Sequence, residues 1–145
     1  MSYKIKRVEV WAADILNRPG TLARVLEALA AAGGQLEFMI ARRVTDQTSR
    51  VFVAPISSAK VKRAASDVGL IKAAGLHAIR IEGPDRPGLG SAMTRAVGAA
   101  GINLRGASAA GIGKKVLFYL AVATDKDANA AAAAIRKALA GKRRA

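Results

Sequence analysis

One short stretch of this chain occurs twice, and the repeat narrows the folds open to it more than any other feature. The first copy runs Asn17-Arg18-Pro19-Gly20-Thr21-Leu22 and on to Ala31-Ala32-Gly33-Gly34-Gln35-Leu36. The second runs Asp85-Arg86-Pro87-Gly88-Leu89-Gly90 and on to Ala99-Ala100-Gly101-Ile102-Asn103-Leu104. The copies lie 68 residues apart, and at that offset eight of the twenty positions from 17 to 36 are identical. Self-similarity at a fixed period reports a repeated structural unit, and two copies are too few for a solenoid. The 145 residues therefore read as two small domains, 1–74 and 75–145, where length alone would indicate one. Halves of this size are near the lower limit for an independent core and usually pack on each other or on a second chain.

Composition adds exclusions. The absence of cysteine rules out disulfides and thiolate metal sites. One histidine and scattered carboxylates make no metal-ligand cluster, so no cofactor is expected. The residues after Met1 alternate like a strand, with no apolar signal-peptide core and no membrane-length apolar run, so a cytoplasmic protein is expected. The apolar fraction of 52% is mostly alanine and aliphatic, with Trp11, Phe38, Phe52, Phe118 and Tyr119 as large exceptions. A formal charge of +14 attracts polyanions, yet the charges are spread along the chain apart from Lys60-Val61-Lys62-Arg63 and the tail Lys142-Arg143-Arg144.

In chain order, Lys4–Asp14 reads as one strand with apolar residues on both faces. Pro19-Gly20 opens a helix in which Leu22, Val25, Leu26 and Leu29 share one face, and Gly33-Gly34 ends it. Strands over Gln35–Val44 and Arg50–Ile56 follow, joined by a polar turn at 45–49. Ser57-Ser58 caps a helix over Ala59–Asp67, and Leu70–Ala74 is a short strand. The second half repeats the plan: a strand at Leu76–Gly83, a helix from Pro87/Gly88 to Ala100, strands at Ile102–Ala109 and Lys115–Ala123, and a helix from a capping box at Thr124–Asp127 to about Ala140. Its last strand is missing or reduced to the basic tail. Each half is thus β-α-β-β-α-(β), the order of an α+β, ferredoxin-like fold with both helices on one face of an antiparallel sheet.

A strand, Asn17-Arg18-Pro19-Gly20, a helix and then Gly33-Gly34-Gln35-Leu36 resembles an ACT domain, as does Pro84-Asp85-Arg86-Pro87-Gly88 with Gly101-Ile102-Asn103-Leu104. The whole chain resembles free-standing proteins made of two tandem ACT domains without an enzyme domain. The resemblance implies an amino-acid-binding regulatory protein, a homodimer that controls a partner protein, with its effector at the junction of two ACT domains. In the serine-binding domain of phosphoglycerate dehydrogenase, the loop Asn and the Asn at the start of the second strand both contact the ligand. Those positions are Asn17 and Gln35 in the first half, and Asp85 and Asn103 in the second. The implied site comprises Asn17, Arg18, Pro19, Gly20, Thr21, Leu22 and Gln35, with Asp85, Arg86, Pro87, Gly88, Leu89, Gly90, Asn103 and Leu104.

The residues carry a matching chemistry of their own. Glycine lets a ligand approach the backbone, and the first N–H groups of the following helix suit a carboxylate. Asn17 or Asp85 can accept from an ammonium group. Asp85 in place of Asn favours a cation, Gln35 reaches further than Asn, and Gly90 in place of Leu22 leaves more room. Arg18 and Arg86 either meet a ligand carboxylate or are solvated loop charges.

Two other classes compete. A basic ferredoxin-like module binding nucleic acid or an acidic protein fits the charge, but neither RVFVAPI nor KVLFYLAV carries the RNA-recognition signature, and adjacent Phe118 and Tyr119 point to opposite faces. Nucleic acid is therefore ranked below the small effector, and no membrane partner is expected. An enzyme would need a nucleophile and base; His77 has neither beside it, and Asp125 with Asp127 reads as a helix cap. Gly111-Ile112-Gly113-Lys114 lacks the Ser/Thr and the helix of a phosphate loop and reads as a hairpin turn.

Overall fold

The computed structural model describes residues 2–141. The basic stretch Lys4-Ile5-Lys6-Arg7-Val8 forms β1 (Lys4–Val8), and β2 (Trp11–Leu16) begins after a gap of two residues. The first half continues with α1 (Thr21–Ala31), β3 (Phe38–Arg43), β4 (Thr48–Ala54), α2 (Ala59–Asp67) and a two-residue β5 (Ile71–Lys72). Then come β6 (His77–Pro84), α3 (Leu89–Ala99), β7 (Gly106–Ile112), β8 (Lys115–Val122) and α4 (Asp125–Gly141). The strands form two four-stranded antiparallel sheets, ordered β3-β4-β2-β5 and β1-β6-β8-β7. The chain is a duplicated α+β, ferredoxin-like fold.

The single strand expected over Lys4–Asp14 is two strands in two different sheets. β1 pairs with β6, Lys4 opposite Glu82 and Val8 opposite Ala78, whereas β2 pairs with β4 and β5. One compact unit is accordingly Glu9–Ala73, and the other joins the residues through Val8 to those from Ala74 onward. The units therefore do not divide simply at 74/75: the second half ends in α4, with no last strand of its own among the described residues, and takes its fourth strand from β1. The second sheet has its fourth strand, drawn from the start of the chain, and the tail to which that expectation looked lies outside the described residues. The physical cause is the edge of β6: without β1 its backbone donors and acceptors would lie unpaired along a hydrophobic core.

β1 is fixed by more than its ladder. Ile5 and Tyr3 face the core of their unit. The Tyr3 hydroxyl donates to the Pro84 carbonyl at 2.8 Å, and the ring covers Gly83 so closely that a Cβ there would collide with it. Arg7 reaches α4, its Nη2 donating to Asp125 Oδ1 at 2.8 Å and its Nη1 to Asn129 Oδ1 at 2.9 Å. Arg136 of α4 reciprocates by donating to the Ile5 carbonyl at 3.1 Å.

Each unit has its own core. That of Glu9–Ala73 sets Val25 and Leu29 of α1 and Val61 and Ala65 of α2 against Val51 and Val53 of β4. The other sets Leu89, Met93 and Val97 of α3 and Ala128, Ala131, Ala132, Ile135 and Leu139 of α4 against Ile79, Ile81, Leu120 and Val122. The α4 residues recur at i, i+3, i+4, i+7, so its alanine run supplies a thin buried face as well as helix propensity. α1 ends in a Schellman cap, with Gly33 at φ 89° and the Gly34 N–H donating to the Leu29 carbonyl at 2.8 Å.

Tyr3→Ala is expected to lower stability by about 2 kcal/mol through lost packing and the lost hydrogen bond. Gly83→Ala should also destabilise, because its methyl displaces the Tyr3 ring. The double variant should cost clearly less than the sum of the two, since the methyl then enters emptied space. Urea denaturation checks this; strict additivity would show that the ring does not lie on Gly83.

Candidate functional site

The two Arg-Pro-Gly loops occupy the same address in both units. Asn17 follows the end of β2 and Asp85 the end of β6, and each donates its backbone N–H to the adjoining hairpin. Asn17 bonds the Gln47 carbonyl and Asp85 the Lys114 carbonyl, both at 2.8 Å. In the first unit a second bond adds to the latch: Asn17 Nδ2 donates to the Asp46 carbonyl at 3.0 Å. The Asn17 side chain therefore ties loop to hairpin, leaving only its Oδ1 to accept from a ligand. The Asp85 side chain has no N–H to donate and stays exposed.

Gly20 and Gly88 precede their helices in the left-handed conformation, at φ 89° and 83°. The prolines thus stand just outside the helix starts, not in the first turn. A Cβ at either glycine would meet nothing within 4 Å, so the backbone there faces open space. Glycine is required first by the dihedral angle, and the open approach comes with it.

The helix starts divide into two kinds. α2 is capped by Ser58, whose Oγ accepts from the Val61 N–H at 3.1 Å, and α4 by Thr124, whose Oγ1 accepts from the Asp127 N–H at 3.0 Å. α1 and α3, behind the two repeated loops, have no side-chain cap and no acidic residue in the first turn. Thr21, which could have capped, instead donates its hydroxyl to the carbonyls of Leu16 and Arg18, at 2.6 and 3.0 Å. The first N–H of each helix turns back to the loop, Thr21 to the Arg18 carbonyl and Leu89 to the Arg86 carbonyl, both at 3.3 Å. The next two donors of each helix, at Leu22 and Ala23 and at Gly90 and Ser91, are left for an outside acceptor, and the positive end of the helix dipole favours an anion there.

The arginines differ. Arg18 is exposed, while Arg86 is half-buried with its Nη2 shielded from solvent and without a hydrogen-bond partner. Its Nη1 makes only a long bond, 3.5 Å, to the Pro87 carbonyl. Arg86 is therefore the one of the pair that is not a solvated loop charge.

Several expected site residues go to the core instead. Leu89 is 1% exposed, and Leu22 and Leu104 are half-buried against the cores of their units. Pro19 and Pro87 shape the loops and remain exposed. Gly90 leaves no extra room, because Phe118 comes within 3.4 Å of where its Cβ would be. Phe118 pairs with Ile81 as Val51 pairs with Ala13, so the large and small residues have changed places between the units: Leu22 with Val51, Gly90 with Phe118. Phe118 packs on the core and Tyr119 is 5% exposed, so neither forms a base-stacking platform.

Gln35 and Asn103 are exposed but lie at the other end of their sheets. β3 starts with Phe38 opposite Ala54, while the Asn17 loop follows Leu16, opposite Thr48. The same register separates Asn103 from Asp85. Six residues of strand lie between, roughly 20 Å. Within one unit the loop and the strand start cannot touch the same small ligand. Among the described residues no group of carboxylates or histidine could hold a metal, and no helix is long and apolar enough to cross a membrane.

This fold and these paired loops define a tandem arrangement of one small α+β module. Residues 77–140 match the family model of the ACT domain. The match covers β6 through α4 of the second unit, and the unit Glu9–Ala73 repeats the same fold. No curated protein matches the sequence. Among solved structures, the ligand-free regulatory subunit of aspartate kinase from Thermus thermophilus is similar, with a TM-score of 0.67 at 19% identity, over 95% of this chain and 97% of that one. A Bacteroides thetaiotaomicron protein, BT0572, aligns with a TM-score of 0.73 at 14% identity, over 96% of this chain and 90% of that one. Aspartokinase III of E. coli, in complex with lysine and aspartate, aligns with a TM-score of 0.55 at 13% identity, over 97% of this chain and 32% of that one.

Restoring the first unit's arrangement in the second tests the exchanged pair. Phe118→Val alone should cost about 2 kcal/mol through a cavity, and Gly90→Leu alone should cost stability by crowding Phe118. The double variant should recover about 1 kcal/mol or more over the sum in thermal or urea unfolding.

Proposed function

We propose that the chain is a non-catalytic regulatory protein that binds a free amino acid. The observation that carries this reading is the contrast in helix capping: α2 and α4 are closed by side chains, whereas α1 and α3 are left open behind glycine loops. The ligand carboxylate takes the Gly90 and Ser91 N–H groups and the Arg86 guanidinium; Asp85 takes its ammonium group. Because strand register keeps Asn103 and Gln35 far from the loops of their own units, the second contact comes from an ACT domain other than the one that supplies the loop. Regulatory subunits of aspartate kinase, and aspartokinase III in complex with lysine and aspartate, support the reading and make those two amino acids the first to test. The second loop is the occupied one, since only Arg86 is held out of solvent beside it.

A thermal-shift panel of the twenty amino acids tests this. A true effector stabilises by about 2.7 kcal/mol at a hundredfold excess over Kd. Arg86→Gln should weaken binding about tenfold, while Arg18→Gln leaves it nearly unchanged. If no amino acid shifts the transition at millimolar concentration, the effector reading fails.

A further inference from the structure

The non-helical face of the sheet β1-β6-β8-β7 holds a groove unrelated to the helix starts. It has a volume of about 400 Å³ and is lined by Ser2, Lys4, Glu82, Pro84, Lys114 and Lys115. Pairing places these side chains together: Lys4 lies opposite Glu82, and Pro84 opposite Lys115. Glu82 is the one carboxylate in the lining, and it is already engaged by Arg80 at 2.9 Å. The Arg80 guanidinium holds the Glu82 carboxyl below its ordinary 4.5, and Lys4 and Lys115 pull in the same direction. None of the three lysines has an ion-pair partner of its own among the described residues.

Three lysines thus line a concavity whose only lining acid is paired with a fourth cation, Arg80. The duplicated unit shows that the fold does not demand this. At the matching positions, by register and by the 68-residue offset, stand Asp14, Leu16, Gln47 and Thr48, with no lysine. The shorter second hairpin turn brings Lys114 and Lys115 to the groove, and the N-terminal strand brings Lys4. No aromatic residue lines the groove, so nothing there would hold a nucleobase. The volume is ample for a compact polyanion and falls in the range of small-molecule sites.

We propose that this groove binds a small, multiply charged oxyanion: a phosphate-bearing molecule or a polycarboxylate, gripped by Lys4, Lys114 and Lys115 with the Ser2 hydroxyl as a donor. Lysine serves such ligands as a mobile point charge. The site is independent of the amino-acid site and does not rest on it.

Calorimetric titration of the full chain with pyrophosphate and with citrate, at matched ionic strength, provides the test. Saturable binding of either is expected, and the better of the two tells which oxyanion source the groove prefers. Replacing Lys4, Lys114 and Lys115 by Gln should weaken that binding about tenfold or more with the melting temperature preserved. Replacing Lys60, Lys62 and Arg63 by Gln, which removes equal charge from α2 of the other unit, should leave it nearly unchanged. Absence of saturable binding to both anions at millimolar concentration overturns the proposal. So does an equal loss in the two triple variants, which would mean that net charge alone attracts the anion.

Discussion

The pairing of β1 with β6 is the contact on which the second unit depends. It joins residues 70 to 78 positions apart and closes a sheet whose core would otherwise run out to an open edge. The same strand carries Tyr3 onto Gly83 and Arg7 onto α4, so ladder, ring packing and ion pair all act on five residues and their immediate neighbour. An exposed ion pair such as Arg7 with Asp125 contributes little alone. Together with Arg136 it ties β1 to α4, which supplies five residues of the core.

Duplication explains why the two Arg-Pro-Gly loops share their backbone, and divergence explains why they differ. Both latch to a hairpin through one N–H at the same place. Beyond that bond, the first loop has invested its side chain in the latch, through Asn17, while the second keeps a free carboxylate at Asp85 and a sheltered arginine at Arg86. The exchange of Leu22 with Val51 for Gly90 with Phe118 keeps the space beneath each helix start filled. Core packing can be conserved in volume while the individual residues change.

Element order, both helix faces, the α2 and α4 caps and the hairpin turns were legible in the sequence because each depends on neighbours a few residues away. The parting of Lys4–Asp14 into two sheets was not, because β-strand propensity is blind to which partner a strand will find. A local trace of it exists: the apolar phase shifts between Ile5, on one face, and Val8 and Val10, on the other. Leu22, Leu89 and Leu104 were assigned to the ligand through their motif neighbours, yet first-turn and strand-start leucines alternate inward like any amphipathic residue. Gly90 was read as room because the residue that fills it, Phe118, comes from a strand 28 positions on.

The N-terminal strand also sets an order of events during synthesis. Lys4 leaves the ribosome long before Glu82, its partner in the ladder, and the unit Glu9–Ala73 has all its strands and both helices available before β6 exists. The nascent chain therefore carries a short basic strand with no sheet to join, tethered to a neighbour that is already able to fold. The lysines in β1 keep that waiting segment soluble and discourage it from pairing edge to edge with other nascent chains. The later unit is thus completed by a strand that precedes the earlier one in the chain, and its sheet closes only when β1 meets β6.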